Sequence, residues 1–155
     1  MGNDKLKYPV LVEEIKNRCP WKLMKNSINE ETIFYHLCKN NPPTEEDFKP
    51  HAYSNIPQRK GKYKKILKNF KKSKNSLKIQ INLCLSFGIS VYLDKNDIIN
   101  LQKNIPQIGN FIASLKINPL EHGKVYNTPT NHASHCTWFP FKNVDFKQLI
   151  QSIYI

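Results

Sequence analysis

The alternation of apolar and polar positions is clearest between residues 77 and 93. Every odd position there is apolar: Leu77, Ile79, Ile81, Leu83, Leu85, Phe87, Ile89, Val91 and Leu93. A period of two predicts a β-strand. The run is longer than a usual strand, so Ser86-Phe87-Gly88 is expected to divide or bend it. A short helix across residues 79–86 is the alternative. Upstream, Tyr63, Ile66, Leu67 and Phe70 stand at i, i+3, i+4 and i+7, which predicts an amphipathic helix with its lysines on the solvent faces.

The remaining elements follow from shorter signals. Pro9, Val12, Ile15 and Cys19 predict a short helix over residues 9–18, closed by Cys19-Pro20-Trp21. Ile33 to Leu37 reads as a strand stopped by Asn40-Asn41-Pro42-Pro43. Thr44 caps a turn with acids at Glu45, Glu46 and Asp47, and Asp94 caps a helix through Ile98, Ile99 and Leu101. Residues 111–117, 124–128 and 135–139 read as further strands. Asp145 is expected to cap a final helix with Phe146, Leu149, Ile150 and Ile153 on one face. No repeat or linker interrupts the pattern. The class is α+β: one domain over residues 1–155, a sheet of about five strands flanked by short amphipathic helices.

Charge changes this picture locally. The chain has 155 residues, 24 Lys+Arg against 12 Asp+Glu, and a net charge of +12. From Phe48 to Leu93 there is no acid, and that segment alone carries 11 of the basic residues. Such a run is the electrostatic footprint of a nucleic-acid or other polyanion partner, with Lys60, Lys64, Lys65, Lys68, Lys71 and Lys72 as the contacts. A plainer account competes with it. There are 22 Lys but 2 Arg, beside 18 Asn and 17 Ile, the bias of AT-rich coding, and specific phosphate recognition favours Arg. No apolar stretch approaches the roughly 20 residues of a membrane helix, so no membrane partner is expected. Nor does an apolar leader follow the first residues, so a cytoplasmic protein with reduced, buried thiols is expected.

Candidate chemistry is sparse. The four cysteines, Cys19, Cys38, Cys84 and Cys136, have no knuckle or redox spacing. His122, His132, His135 and Cys136 cluster, but His-x-x-His in a loop is weakly specific for zinc, and no metal is predicted. His135-Cys136-Thr137 has the His-x-Thr form of two-histidine phosphoesterases; its only counterpart is His51-Ala52-Tyr53, which lacks the hydroxyl residue. With 5 glycines there is no phosphate loop and no dinucleotide fingerprint.

The order of pieces is more informative. Phe34-Tyr35-His36 lies on an early strand. Phe87-Gly88-Ile89-Ser90-Val91-Tyr92-Leu93 runs directly into the helix capped by Asp94, and residues 111–117 form the next strand. This arrangement resembles the core of ADP-ribosyltransferase-like domains. Segments 32–48, 88–117 and 134–138 also resemble a family of small bacterial proteins. The first resemblance implies an NAD-directed or nucleic-acid-directed toxin or defence effector of bacterial or phage-associated type. It places His36 at the NAD ribose and Ser90 or Tyr92 against the nicotinamide. Such enzymes add a carboxylate or amide on a third strand. Here residues 111–117 hold no Glu, Gln or Asp, so His135 or Thr137 stands in. The candidate catalytic residues are His36, Ser90, Tyr92 and His135. The alternatives are a non-enzymatic nucleic-acid-binding protein and a structural protein in which each of these residues merely packs.

Overall fold

The computed structural model describes residues 2–24 and 27–155, and the side chain of Ser27 is not among what it describes. Seven strands form one antiparallel sheet: β1 (Ser27–Ile28), β2 (Thr32–Cys38), β3 (Ile89–Tyr92), β4 (Phe111–Ile117), β5 (Val125–Asn127), β6 (His135–Trp138) and β7 (Ile150–Tyr154). Their order is β1-β5-β6-β3-β2-β4-β7. The helices are α1 (Pro57–Lys72), α2 (Leu77–Leu85), α3 (Lys95–Asn104) and two single turns, α4 (Pro119–His122) and α5 (Phe146–Leu149). The α+β class stands. The sheet has seven strands, not about five, because the edges add β1 and β7, which are short or follow a helix signal.

Three expectations need correction. Residues 77–85 are helix, not strand: Ser76 caps the helix by accepting from the Ile79 N–H, and Leu83 and Cys84 face inward together. The long alternating run is divided at Ser86-Phe87-Gly88 as expected, and only its second half is strand. Residues 9–18 form turns rather than a helix. There the Asn3 side chain takes both the N–H and the C=O of Val10, and the Tyr53 hydroxyl donates to the Pro9 carbonyl at 2.6 Å. Those bonds satisfy the backbone by another route. The final helix stops after Leu149, and Ile150–Tyr154 pairs with β4 instead. The sequence from Ile150 to Tyr154 is rich in strand formers, and β4 offers an open edge.

The expectation of four reduced thiols also fails. Cys19 and Cys84 are joined in a disulfide that ties the N-terminal segment to α2, while Cys38 and Cys136 are free and buried. The two partners are 65 residues apart, so no local spacing announces the pair. No helix among the described residues is long and apolar enough to cross a membrane.

Strand parity sorts the sheet into two faces. Ile89, Val91, Cys136 and Trp138 point into the main core with Phe34, Phe48 and Leu115. Ser90, Tyr92, His135 and Thr137 therefore share the other face, since Ser90 pairs with Thr137 and Tyr92 with His135. A second core packs α1 and α2 on the N-terminal segment through Phe70, Leu83, Phe87 and Phe139. A third holds α3 to the sheet through Ile98, Leu37, Tyr92 and Ile112.

One seam in the sheet is nearly open. β2 and β4 pair along seven positions, whereas β2 and β3 share a single one, Tyr35 with Tyr92. The strands part beyond it, and the Ser90 carbonyl meets the imidazole of His36 in place of a ladder N–H.

Candidate active site

The parting of β2 and β3 opens a cleft of about 390 Å³. Its floor is β2, β3 and β6. Its walls are the start of α1, the turn His51–Tyr53, the end of α3 and the loop around Thr130 to His132. A second hollow of about 530 Å³ adjoins it and shares His51, Lys62, Ser90, Thr130 and His135. Together they form one groove with one lobe over Tyr92 and a second lobe bordered by Leu23, Met24, Ile66, Ile81 and Leu85.

His36, Ser90, Tyr92 and His135 all border the cleft. They come together because three adjacent strands carry them. Their situations differ. His36 lies one residue out of parity with the other three, on the core side, stacked on Phe48 at 5.1 Å. Its Nδ1 is 2.8 Å from the Ser90 carbonyl oxygen and its Nε2 lies against the Asp47 carbonyl oxygen. Burial first, and then Arg59, holds its pKa down at about 4. The neutral ring has one N–H, so it donates to one carbonyl at a time. Neither nitrogen is free for a ribose hydroxyl, and His36 acts as a plug in the seam.

His135 is held differently. Nδ1 is 2.7 Å from the Thr128 carbonyl oxygen and Nε2 is 3.0 Å from Ser90 Oγ. A carbonyl only accepts, so Nδ1 carries the proton and Nε2 presents its lone pair to the serine hydroxyl. Burial, with Lys62 and His132, lowers the pKa of His135, and it is neutral at pH 7. Tyr92 packs its ring edge-on to His135 at 5.2 Å and to His132 at 6.1 Å. Burial pushes the Tyr92 hydroxyl up to about 12, so it stays protonated.

Three residues outside the expected set complete the site. Arg59 is only 8% exposed, yet no carboxylate lies within ion-pair distance among the described residues. Its guanidinium makes long contacts of 3.5 and 3.4 Å to the Asp47 and Leu37 carbonyls. The Asp47 carboxylate is turned away, accepting from the Lys39 and Thr44 N–H groups and Asn40. Lys62, one turn along α1, borders both lobes without an ion pair. His51 borders both as well, and burial, with Lys62, Arg59 and His135, lowers its pKa to about 3. Among the described residues, no Asp or Glu borders the cleft. An acid-free hollow with an unpaired buried guanidinium is complementary to an anion.

The six lysines expected to bind nucleic acid, Lys60, Lys64, Lys65, Lys68, Lys71 and Lys72, are exposed on α1 and none borders the cleft. The basic residues of that helix facing the site are Arg59 and Lys62. The signal for them was their spacing, i and i+3, on the side of the helix next to the apolar stripe. Cys136 lies behind the sheet, its thiol pushed up to about 11 by burial and its sulfur toward Asn127 and Ser134, so it does not meet His135. His122 accepts from the Asn118 N–H at Nδ1, away from His132. Among the described residues no three His, Cys, Asp or Glu side chains converge on one point. Comparison with protein families, curated proteins and solved structures gives no match.

Proposed function

We propose that the protein is an ADP-ribosyltransferase-like enzyme whose cleft takes a nucleotide by its phosphates, with NAD as the ligand. One observation carries this reading: Ser90, Tyr92 and His135 meet the unpaired Arg59 and Lys62 in a single acid-free cleft. The order of parts supports it. β2 brings a His after a Tyr, β3 brings Ser90 and Tyr92 and runs into α3, and β6 lies beside β3 as the third strand. The two-lobed groove suits a ligand with two rings joined through charged phosphates. In this reading Arg59 and Lys62 hold phosphate oxygens. Tyr92 faces the departing nicotinamide. His135 and Ser90 supply neutral acceptors where the family pattern has a carboxylate. A neutral acceptor stabilises a developing cation less than a carboxylate does, so turnover is expected to be slow.

The test is incubation with NAD, following nicotinamide release by chromatography, beside calorimetric titration with NAD. Release that disappears in Tyr92→Ala supports the reading. Absence of both binding and release in the unaltered protein defeats it.

A second reading has its own observation. The α1 lysines are exposed, and among the described residues no carboxylate pairs with Lys60, Lys64, Lys65, Lys68, Lys71 or Lys72. A phosphodiester strand along α1 reaches the groove at Lys62. Affinity for single-stranded DNA should then fall with salt, with a log–log slope of about −0.7 per phosphate neutralised. A flat salt series removes this reading.

A further inference from the structure

The geometry points to Ser90 as a nucleophile, activated by His135, that attacks the phosphorus of a phosphate ester held in the groove. The inference stands whether or not NAD fills the cleft.

A serine hydroxyl is a weak nucleophile unless a base takes its proton and a third group fixes the base. All three parts are present. Ser90 Oγ is 3.0 Å from His135 Nε2. His135 Nδ1 donates to the Thr128 carbonyl at 2.7 Å, with Thr128 Oγ1 also at 3.0 Å. Thr128 Oγ1 is tied in turn to Thr137 Oγ1 at 2.8 Å, so the loop that aims the ring is pinned to the strand that carries it. The carbonyl fixes the tautomer in which Nε2 accepts. Without that bond the ring could present an N–H to Ser90 and no base would exist.

The surroundings choose the electrophile. Ser90 borders both lobes of the groove. Lys62 borders both lobes too, and Arg59 borders the lobe over Tyr92. Two cations and no carboxylate favour an electrophile that carries negative oxygens, which a phosphoryl group does. His51 faces the same groove with a neutral imidazole, and its ring makes no hydrogen bond among the described residues.

The step balances without a metal or redox partner. The Oγ–P bond forms as the bond from phosphorus to the leaving oxygen breaks. The Oγ proton passes to His135 Nε2 and then to the leaving oxygen. A water molecule next attacks the phosphoseryl phosphorus, giving a proton to His135, and Ser90 Oγ leaves and takes that proton back.

The groups facing His135 are Lys62 from α1, His51 from the turn, His132 from the loop and Tyr92 from β3; Asp97 of α3 stands 3.9 Å behind His132. None is a carboxylate in contact with the ring. Its neutral, base-competent form therefore persists below the ordinary histidine range of about 6.5.

The experiment uses the whole protein and an alkyl fluorophosphonate, which transfers its phosphonyl group to an activated serine with loss of fluoride. Intact mass and peptide mapping locate the adduct. We expect one adduct, on Ser90. Labelling should vanish in Ser90→Ala and slow by about 100-fold or more in His135→Gln. Circular dichroism shows whether each variant folds. In the unaltered protein the fall of the labelling rate with pH should have its midpoint below 6.5. An adduct elsewhere, no adduct, equal labelling in folded His135→Gln, or a pH profile whose midpoint lies at or above 6.5 overturns the inference.

Discussion

Replacing Arg59 by Met separates a binding cation from a structural one, because the two roles predict opposite outcomes. The side chain is 8% exposed and sits between the Asp47 and Leu37 carbonyls at 3.5 and 3.4 Å. Those distances are at the weak end for charged donors, and among the described residues the Asp47 and Glu46 carboxylates attract the charge only from beyond ion-pair distance. Holding an unpaired ion out of water costs several kcal/mol, so a methionine of similar length should leave stability unchanged or raise it by about 1–2 kcal/mol. Ligand binding should move the other way. A charge-assisted bond to phosphate contributes about 1.5–3 kcal/mol, which is roughly 10-fold to 150-fold in affinity. Urea denaturation reads the first quantity, and calorimetric titration with ADP or NAD reads the second. A loss of more than about 3 kcal/mol in stability with unchanged ligand affinity would refute the reasoning and make Arg59 a strut.

Other consequences follow from the same geometry. Cys84→Ser opens a cross-link between residues 65 apart and should cost about 4 kcal/mol, measured as a fall in Tm of about 10 °C; an unchanged Tm would show that the tie contributes nothing. Gly88→Ala would drive a Cβ into the Thr137 methyl and the Phe139 ring beneath Ser90, and should cost about 1–3 kcal/mol by urea denaturation, so a neutral result contradicts the packing. His36 and His51 have folded pKa values of about 4 and about 3, below the unfolded value, so the unfolded chain binds more protons in that window. Stability should be fully present above about pH 6.5 and be lost as pH falls toward 4 and then 3, with a slope near 1.4 kcal/mol per pH unit per histidine; denaturation midpoints that stay level from pH 7 to 4.5 would contradict it.

Much of the fold was legible because parity and helical spacing report which face is buried. β2, α1, α3, β4, β5 and β6 all follow their patterns. The failures share a cause. Residues 77–85 alternate like a strand, yet Leu, Lys, Gln and Asn also suit a helix, and the Ser76 cap with Cys84 facing Cys19 decides it. Ile150 and Ile153 sit at helical spacing, but β4 needs an edge partner, a demand no local window records. For the site, the resemblance to ADP-ribosyltransferase-like domains singled out Ser90, Tyr92 and His135, and the fold brings all three to one cleft. Arg59 stayed hidden inside a lysine run because its distinction is burial, and burial depends on how α1 docks against the His51–Tyr53 turn and the sheet.

The open seam ties these observations together. A sheet that paired β2 and β3 fully would cover the Ser90 backbone with ladder bonds and leave no room for α1 side chains between the strands. Here pairing stops at Tyr35 and Tyr92, and the Ser90 carbonyl is met by a side chain, His36. In the tautomer with its proton on Nδ1, His36 donates to that carbonyl while the strands diverge. His36 lies on the core face and the other three candidates on the opposite face, so the seam is where the two faces of the sheet meet. The same parting that makes His36 structural admits Arg59 to the cleft, and Ser90 meets His135 across the neighbouring β3–β6 pair. On this argument His36 earns its place by geometry: His36→Phe, which fills the volume but donates nothing, should leave the carbonyl unsatisfied at a cost of about 1–3 kcal/mol and displace Ser90 from His135. The measurement is urea denaturation together with fluorophosphonate labelling. Full stability with undiminished labelling would show that the seam does not depend on the imidazole.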